Sequence, residues 1–87
     1  MPNALIEAMN YKLAVIGTKI PGIKFFIKNK INGLLFGINK EKELIKNINL
    51  LIENKKMRKI LGNNAFKDVQ KLANPNIFLN KWLSHLK

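Results

Sequence analysis

PNALIEAMNYKLAVIGTKIPGIKFFIKNKINGLLF, residues 2–36, is the stretch whose reading decides the fold. It opens with Pro2, suited to a first helical position because its missing N–H would have no partner there. Leu5, Ile6 and Met9 follow at the spacing of one buried stripe, so a short helix is expected over residues 2–10. Residues 13–17 (LAVIG) form a continuous apolar run with β-branched members, the pattern of a strand covered on both faces. Pro21-Gly22 signals a turn, residues 23–28 fit a short helix, and residues 30–33 read as a loop. Residues 33–38 (GLLFGI) make a second buried strand. The connection between the strands runs about fifteen residues, too long for a hairpin and suited to a right-handed parallel crossover.

Downstream the pattern turns wholly helical. Asn39 is the expected N-cap, and Leu44, Ile45, Ile48, Leu51 and Ile52 mark the buried face of the helix it opens. Met57, Ile60, Leu61, Ala65, Val69 and Leu72 mark the next helix, with Gly62 a weak point inside it. Asn74-Pro75 ends that helix, and Ile77, Phe78, Trp82, Leu83 and Leu86 form a third apolar stripe. The fold class is therefore α/β, with two parallel strands at about 13–17 and 33–38, flanking helices and a helical C-terminal half. Two parallel strands do not make a complete sheet, since parallel sheets are buried and have several strands. The sequence behaves as if its first half were missing.

The chain has 87 residues, enough for one domain that buries about 60–65% of its unfolded surface. Its apolar fraction of 47% is that of a globular protein. No apolar run reaches the ~18–20 residues of a membrane span. Glu7 interrupts the amino terminus where the apolar core of a signal peptide would begin. Cysteine is absent, which excludes a disulfide framework and thiolate metal sites. A cytoplasmic protein is expected, with peripheral contact at the inner membrane face allowed. The net charge is +11, and fifteen of the sixteen basic residues are Lys. A surface reading phosphates or bases favours Arg forks, so nucleic acid is disfavoured and codon bias toward Lys, Asn and Ile explains most of the charge.

The opening stretch, taken as a string, resembles the donor-domain signature of the GT-B glycosyltransferases often called group 1. That signature runs P-N-A-L-L-E-A-M, three residues, a hydrophobic strand ending in Thr, a P-G-I loop, then D-G-x-N-G-L-L. It is matched in order and without gaps from Pro2 to Phe36. The family's L-x-x-x-I-x-x-L-L and R-x-x-x-G-x-x-A helices are matched by Leu44, Ile48, Leu51 and Ile52, then by Arg58, Gly62 and Ala65. The resemblance implies a partial Rossmann-like domain, one unit over residues 1–87, that binds a nucleotide-diphosphate sugar against a second domain. It implies a hexosyltransferase-type activity in the whole enzyme, with the nucleotide-diphosphate sugar as substrate and no cofactor. In the family two glutamates with seven residues between them mark the donor site. The second maps onto Glu7, expected to accept hydrogen bonds from ribose hydroxyls. Asn3, Ala4 and Leu5 would turn free backbone N–H groups toward the diphosphate.

The departures from the family pattern are specific. The first glutamate would fall eight positions before Glu7, ahead of Met1, and the acceptor-binding domain is not in the chain. Turnover by these residues alone is therefore not expected, and the remainder of the enzyme is an expected partner. The resemblance also puts the neighbour of strand 13–17 in the missing part, so one edge of that strand is expected to be unpaired. Unpaired edges recruit partners, so self-association or poor solubility is expected. Lys12 and Lys30 stand where the family has Gly, Ala14 where it often has Pro, and Phe25 where it has an acidic residue. These changes are expected to loosen the loops and leave the strands intact. Two readings compete: a small basic helical module that binds anionic membrane or nucleic acid, and an inactive truncated gene product. No catalytic triad, metal cluster or Gly-rich phosphate loop is legible. Ser84 and His85 point about 100° apart on a helix and do not serve each other. Trp82 and Phe78 fit core packing, and Glu41 and Glu43 complement a helix dipole.

Overall fold

The computed structural model describes residues 3–72. Among them six elements follow in chain order: α1 (Asn3–Asn10), β1 (Ile16–Thr18), α2 (Pro21–Phe26), β2 (Leu34–Phe36), α3 (Glu41–Glu53) and α4 (Lys55–Lys71). β1 and β2 pair in parallel, Ile16 opposite Leu34 and Thr18 opposite Phe36. The chain is α/β, with two parallel strands in one sheet and helices flanking it. The stripe of Ile77, Phe78, Trp82, Leu83 and Leu86, the stop at Asn74-Pro75, and the Ser84–His85 pair lie outside the described residues.

Both strands are shorter than the apolar runs that announce them. The Leu34 N–H donates to the Val15 carbonyl (2.9 Å), and upstream of it the chain turns away through Lys30, at φ 66°. Leu13 and Ala14 are left without a partner on β2. At the other end the Lys40 N–H donates to the Gly37 carbonyl (3.0 Å) and closes a turn. Asn39 sits in that turn at φ 61° and is not the cap of α3; Lys40 holds the cap position. Asn tolerates the left-handed region, and that use wins over capping here. Glu43 does more than face the dipole, since its Oε1 accepts the Gly37 N–H at 2.7 Å. α2 starts at Pro21, so the Pro-Gly pair is a first helical turn and not a loop.

Two apolar clusters form on opposite faces of the sheet, as strand alternation requires. Met9, Val15, Phe26, Ile27, Ala65 and Val69 join α1, α2 and the second half of α4. Leu34, Leu51 and Leu61, with Ala14 and Ile16 against them, join α3 and the first half of α4. A Cβ on Gly17 would lie 2.8 Å from the Ile27 Cδ1, so this glycine lets α2 close onto β1. Gly62 is not a weak point. A Cβ there would run into the Lys12 carbonyl oxygen and lie 2.9 Å from its carbon, so α4 touches backbone at this place. Of the five residues expected on the buried face of α3, only Leu51 is buried. Ile45, Ile48 and Ile52 are 56%, 41% and 68% exposed, because the sheet beneath ends at β1. Asn54 makes the corner into α4: its Oδ1 accepts the Met57 N–H at 2.9 Å. Arg58 donates back to the Leu51 and Ile52 carbonyls at the end of α3.

Candidate functional site

The site residues read from the sequence all lie on α1, and what fixes that helix is its far end. The Leu13 N–H donates to the Ala8 carbonyl (3.2 Å) and the Lys12 N–H to the Met9 carbonyl (3.1 Å). This is the paired closure of a helix whose next residue is left-handed, and that residue is Lys12, at φ 61°. A glycine is usual there. Lys12 and Lys30, the two lysines where the family has Gly, both keep the glycine-type backbone. The Lys12 ammonium lies 4.9 Å from the centre of the Phe66 ring on α4, which offsets part of the strain. Gly62 receives the Lys12 carbonyl, and Gln70 Nε2 donates to Asn10 Oδ1 (2.8 Å). α1 is thereby seated along α4, with Met9 fully buried and Leu5, Ile6 and Ala8 packed against the core.

The opposite side of α1 carries Asn3, Ala4 and Glu7, all exposed. Leu5 is half-buried, so it can offer a ligand only its backbone N–H. The N–H groups of a first turn have no acceptor within their own helix. Glu7 lies one turn further on, about 6 Å along the axis. Among the described residues its carboxylate has no hydrogen-bond or ion-pair partner. A carboxylate accepts and does not donate, with room for two O–H groups, and free amides suit an anion. The two groups lie on one exposed side of one helix. Among the described residues concavities lie elsewhere, among them one between Met9, Phe26, Asn32 and Asp68 and one between Leu13, Ile16, Ile48 and Ile52. Glu7 lines neither.

Asn32 is the polar residue that sequence reasoning passed over. It is 1% exposed and fully bonded: its Oδ1 accepts the Lys28 N–H (2.7 Å), and its Nδ2 donates to the Phe26 carbonyl (2.9 Å) and to Asp68 Oδ2 (2.7 Å). It ties the loop before β2 to α4. The signal was available, since Asn32 is the polar member of the N-G-L-L run that the family signature also carries, but polarity within a loop suggests exposure. Phe25, where the family has an acidic residue, packs edge-on against Phe26 with ring centres 4.8 Å apart. Among the described residues no three His, Cys, Asp or Glu side chains gather to hold a metal, and no helix is long and apolar enough to cross a membrane.

Comparison with protein families matches the glycosyl transferases of group 1 over residues 1–68, from the undescribed first residues through α1 and both strands to Asp68 on α4. Comparisons with curated proteins and with solved structures give no match. With the match covering most of its 87 residues, the chain belongs to the glycosyl transferases of group 1.

Proposed function

We propose that the chain is the C-terminal part of the donor half of a GT-B enzyme that moves a sugar from a nucleotide-diphosphate sugar to a glycan or lipid-linked acceptor. Glu7 is then the second glutamate of the family's pair and accepts the ribose hydroxyls. The first-turn amides of Asn3, Ala4 and Leu5 face the diphosphate. The observation that carries this reading is the carboxylate of Glu7, exposed and without a partner among the described residues, one turn from the first-turn N–H groups of a helix that leads into a parallel strand. The first glutamate, the acceptor domain and the opposite wall of the cleft come from the remainder of the enzyme, so the 87 residues bind the donor without turning it over. The lysine-rich surface holds the enzyme near anionic lipid, where a lipid-linked acceptor would sit.

Calorimetric titration with a nucleotide-diphosphate sugar tests the reading. Hydrogen bonds to a charged group contribute about 1.5–3 kcal/mol, so Glu7→Gln should weaken binding by roughly 10–100-fold. Glu41→Gln, an exposed carboxylate on α3, should leave it unchanged. Equal affinity in the wild type and Glu7→Gln sinks the assignment of Glu7. Specific sugar transfer by the isolated chain sinks the division of labour.

A further inference from the structure

The positive charge is not spread evenly along the chain. Residues 8–40 hold six lysines and no acid, and α4 adds five lysines and an arginine against Asp68 alone. α3, in contrast, carries three glutamates against two lysines. Codon bias accounts for the number of lysines, but not for where the acids are absent. The two acid-poor segments meet where the loop before β2 lies on α4. Asn64 Nδ2 donates to the Ile31 carbonyl (2.8 Å), and Asn32 Nδ2 donates to Asp68 Oδ2. Asn64, Lys67, Asp68 and Lys71 share one side of α4, and Ile60 lies one turn before them. Lys28, Lys30, Lys67 and Lys71 are all exposed there. The one acid among them, Asp68, is taken up by Asn32 and by the Lys71 ammonium at 3.9 Å.

Two apolar side chains stand out in the same place, Ile31 at 56% and Ile60 at 49% exposure. Ile31 is held outward by bonds of the loop itself. Its N–H donates to the Lys28 carbonyl (3.0 Å), and the Lys30 N–H donates to the Gly33 carbonyl (2.7 Å). A loop already fixed loses little freedom on binding. The flank beyond is closed to a further strand, because Asn29 Oδ1 accepts the Leu35 N–H (2.8 Å) and Asn47 Nδ2 donates to the Leu35 carbonyl (3.1 Å). The remainder of the donor half belongs on the β1 side of the sheet, away from this face.

We infer that this face seats the chain on an anionic membrane, with Ile31 and Ile60 at the acyl boundary and the four ammonium groups among the lipid phosphates. Lysine suits the place, since its stem lies along apolar surface while its head stays with the phosphates. Nucleic acid is the poorer fit: the face offers no arginine fork and no aromatic ring for a base to stack on. The placement rests on the lipid contact proposed above and not on Glu7.

Cosedimentation with vesicles of about one third phosphatidylglycerol in phosphatidylcholine reads the binding. Each lysine near an anionic surface contributes roughly fivefold, so Lys28→Gln, Lys30→Gln and Lys67→Gln together should weaken it about 100-fold. Lys19→Gln, Lys42→Gln and Lys46→Gln remove as many charges elsewhere and should weaken it less than about fivefold. Ile31→Ser with Ile60→Ser keeps every charge and should weaken it about tenfold. All these positions are exposed, so each variant should keep the circular dichroism of the wild type. A wild type that ignores the vesicles overturns the lipid contact and this face together. Equal losses in the two lysine variants overturn the face alone. An indifferent isoleucine pair, or tighter binding to RNA than to vesicles at the same salt, overturns it as well.

Discussion

Replacing Gly62 by Ala should destabilise the protein, although helix propensity says the opposite. Gly62 lies inside α4, where Gly→Ala ordinarily gains about 1 kcal/mol. Here the new Cβ would overlap the Lys12 carbonyl oxygen and lie 2.9 Å from the carbonyl carbon. These are backbone atoms, so no rotamer change relieves the contact. The Lys12 backbone is itself held by its hydrogen bond to Met9 and by the one from Leu13 to Ala8. Either α4 shifts from α1 or the closure of α1 opens. Overpacking of this kind costs about 1–3 kcal/mol, and a contact with fixed backbone belongs at the upper end, for a net loss of about 2 kcal/mol. In a domain of this size that lowers Tm by roughly 8–16 °C. Gly22→Ala is the internal control: it lies in α2 with nothing within 4 Å of its Cβ and should raise stability by up to ~1 kcal/mol. Urea unfolding of both variants reads the signs. A Gly62→Ala protein as stable as the wild type would refute the close seating of α1 on α4.

Lys30→Gly relieves a left-handed backbone that costs an L-residue about 1–2 kcal/mol, less the entropy a glycine adds to the unfolded chain, so melting should rise by the equivalent of ~0.5–1 kcal/mol. Lys12→Gly removes the same strain but also the ammonium over Phe66, and should come out near neutral in the same melting series. Asn32→Ala leaves the Lys28 N–H, the Phe26 carbonyl and Asp68 without their partner; a loss of about 2–4 kcal/mol in chemical denaturation is expected, against little change for Asn64→Ala at an exposed bond.

What the sequence made legible was decided by repetition. The LAVIG and GLLFGI runs announce strands because several apolar residues repeat the same signal, and the long connection between them sets the parallel sense. The ends of elements rest on single residues with rival uses, and there the reading failed. Pro21 begins a helix as readily as it turns a loop, and Asn39 serves a left-handed turn as readily as a cap. Gly62 was invisible because its role depends on a carbonyl fifty positions away, supplied by Lys12. The apolar stripe of α3 was legible in full, but how much of it is covered depends on the number of strands beneath. Glu7 came from its place in a string, and burial adds only that its carboxylate faces solvent unpartnered. Asn29 and Asn47, whose side chains meet the Leu35 N–H and carbonyl, had no sequence signal, since a polar side chain facing water and one bonded to a strand edge are written alike.

Asn32 is followed by Gly33, the neighbour that least obstructs ring closure between an asparagine side chain and the next backbone nitrogen. In the native state that chemistry is stalled, because three bonds clamp the amide and water is shut out. Each opening of the loop releases it. Hydrolysis of the ring would leave a carboxylate facing the Asp68 carboxylate across the gap now bridged at 2.7 Å, and two negative charges there repel. The molecule thus ages in proportion to the time it spends open, and an aged copy closes less firmly than a fresh one.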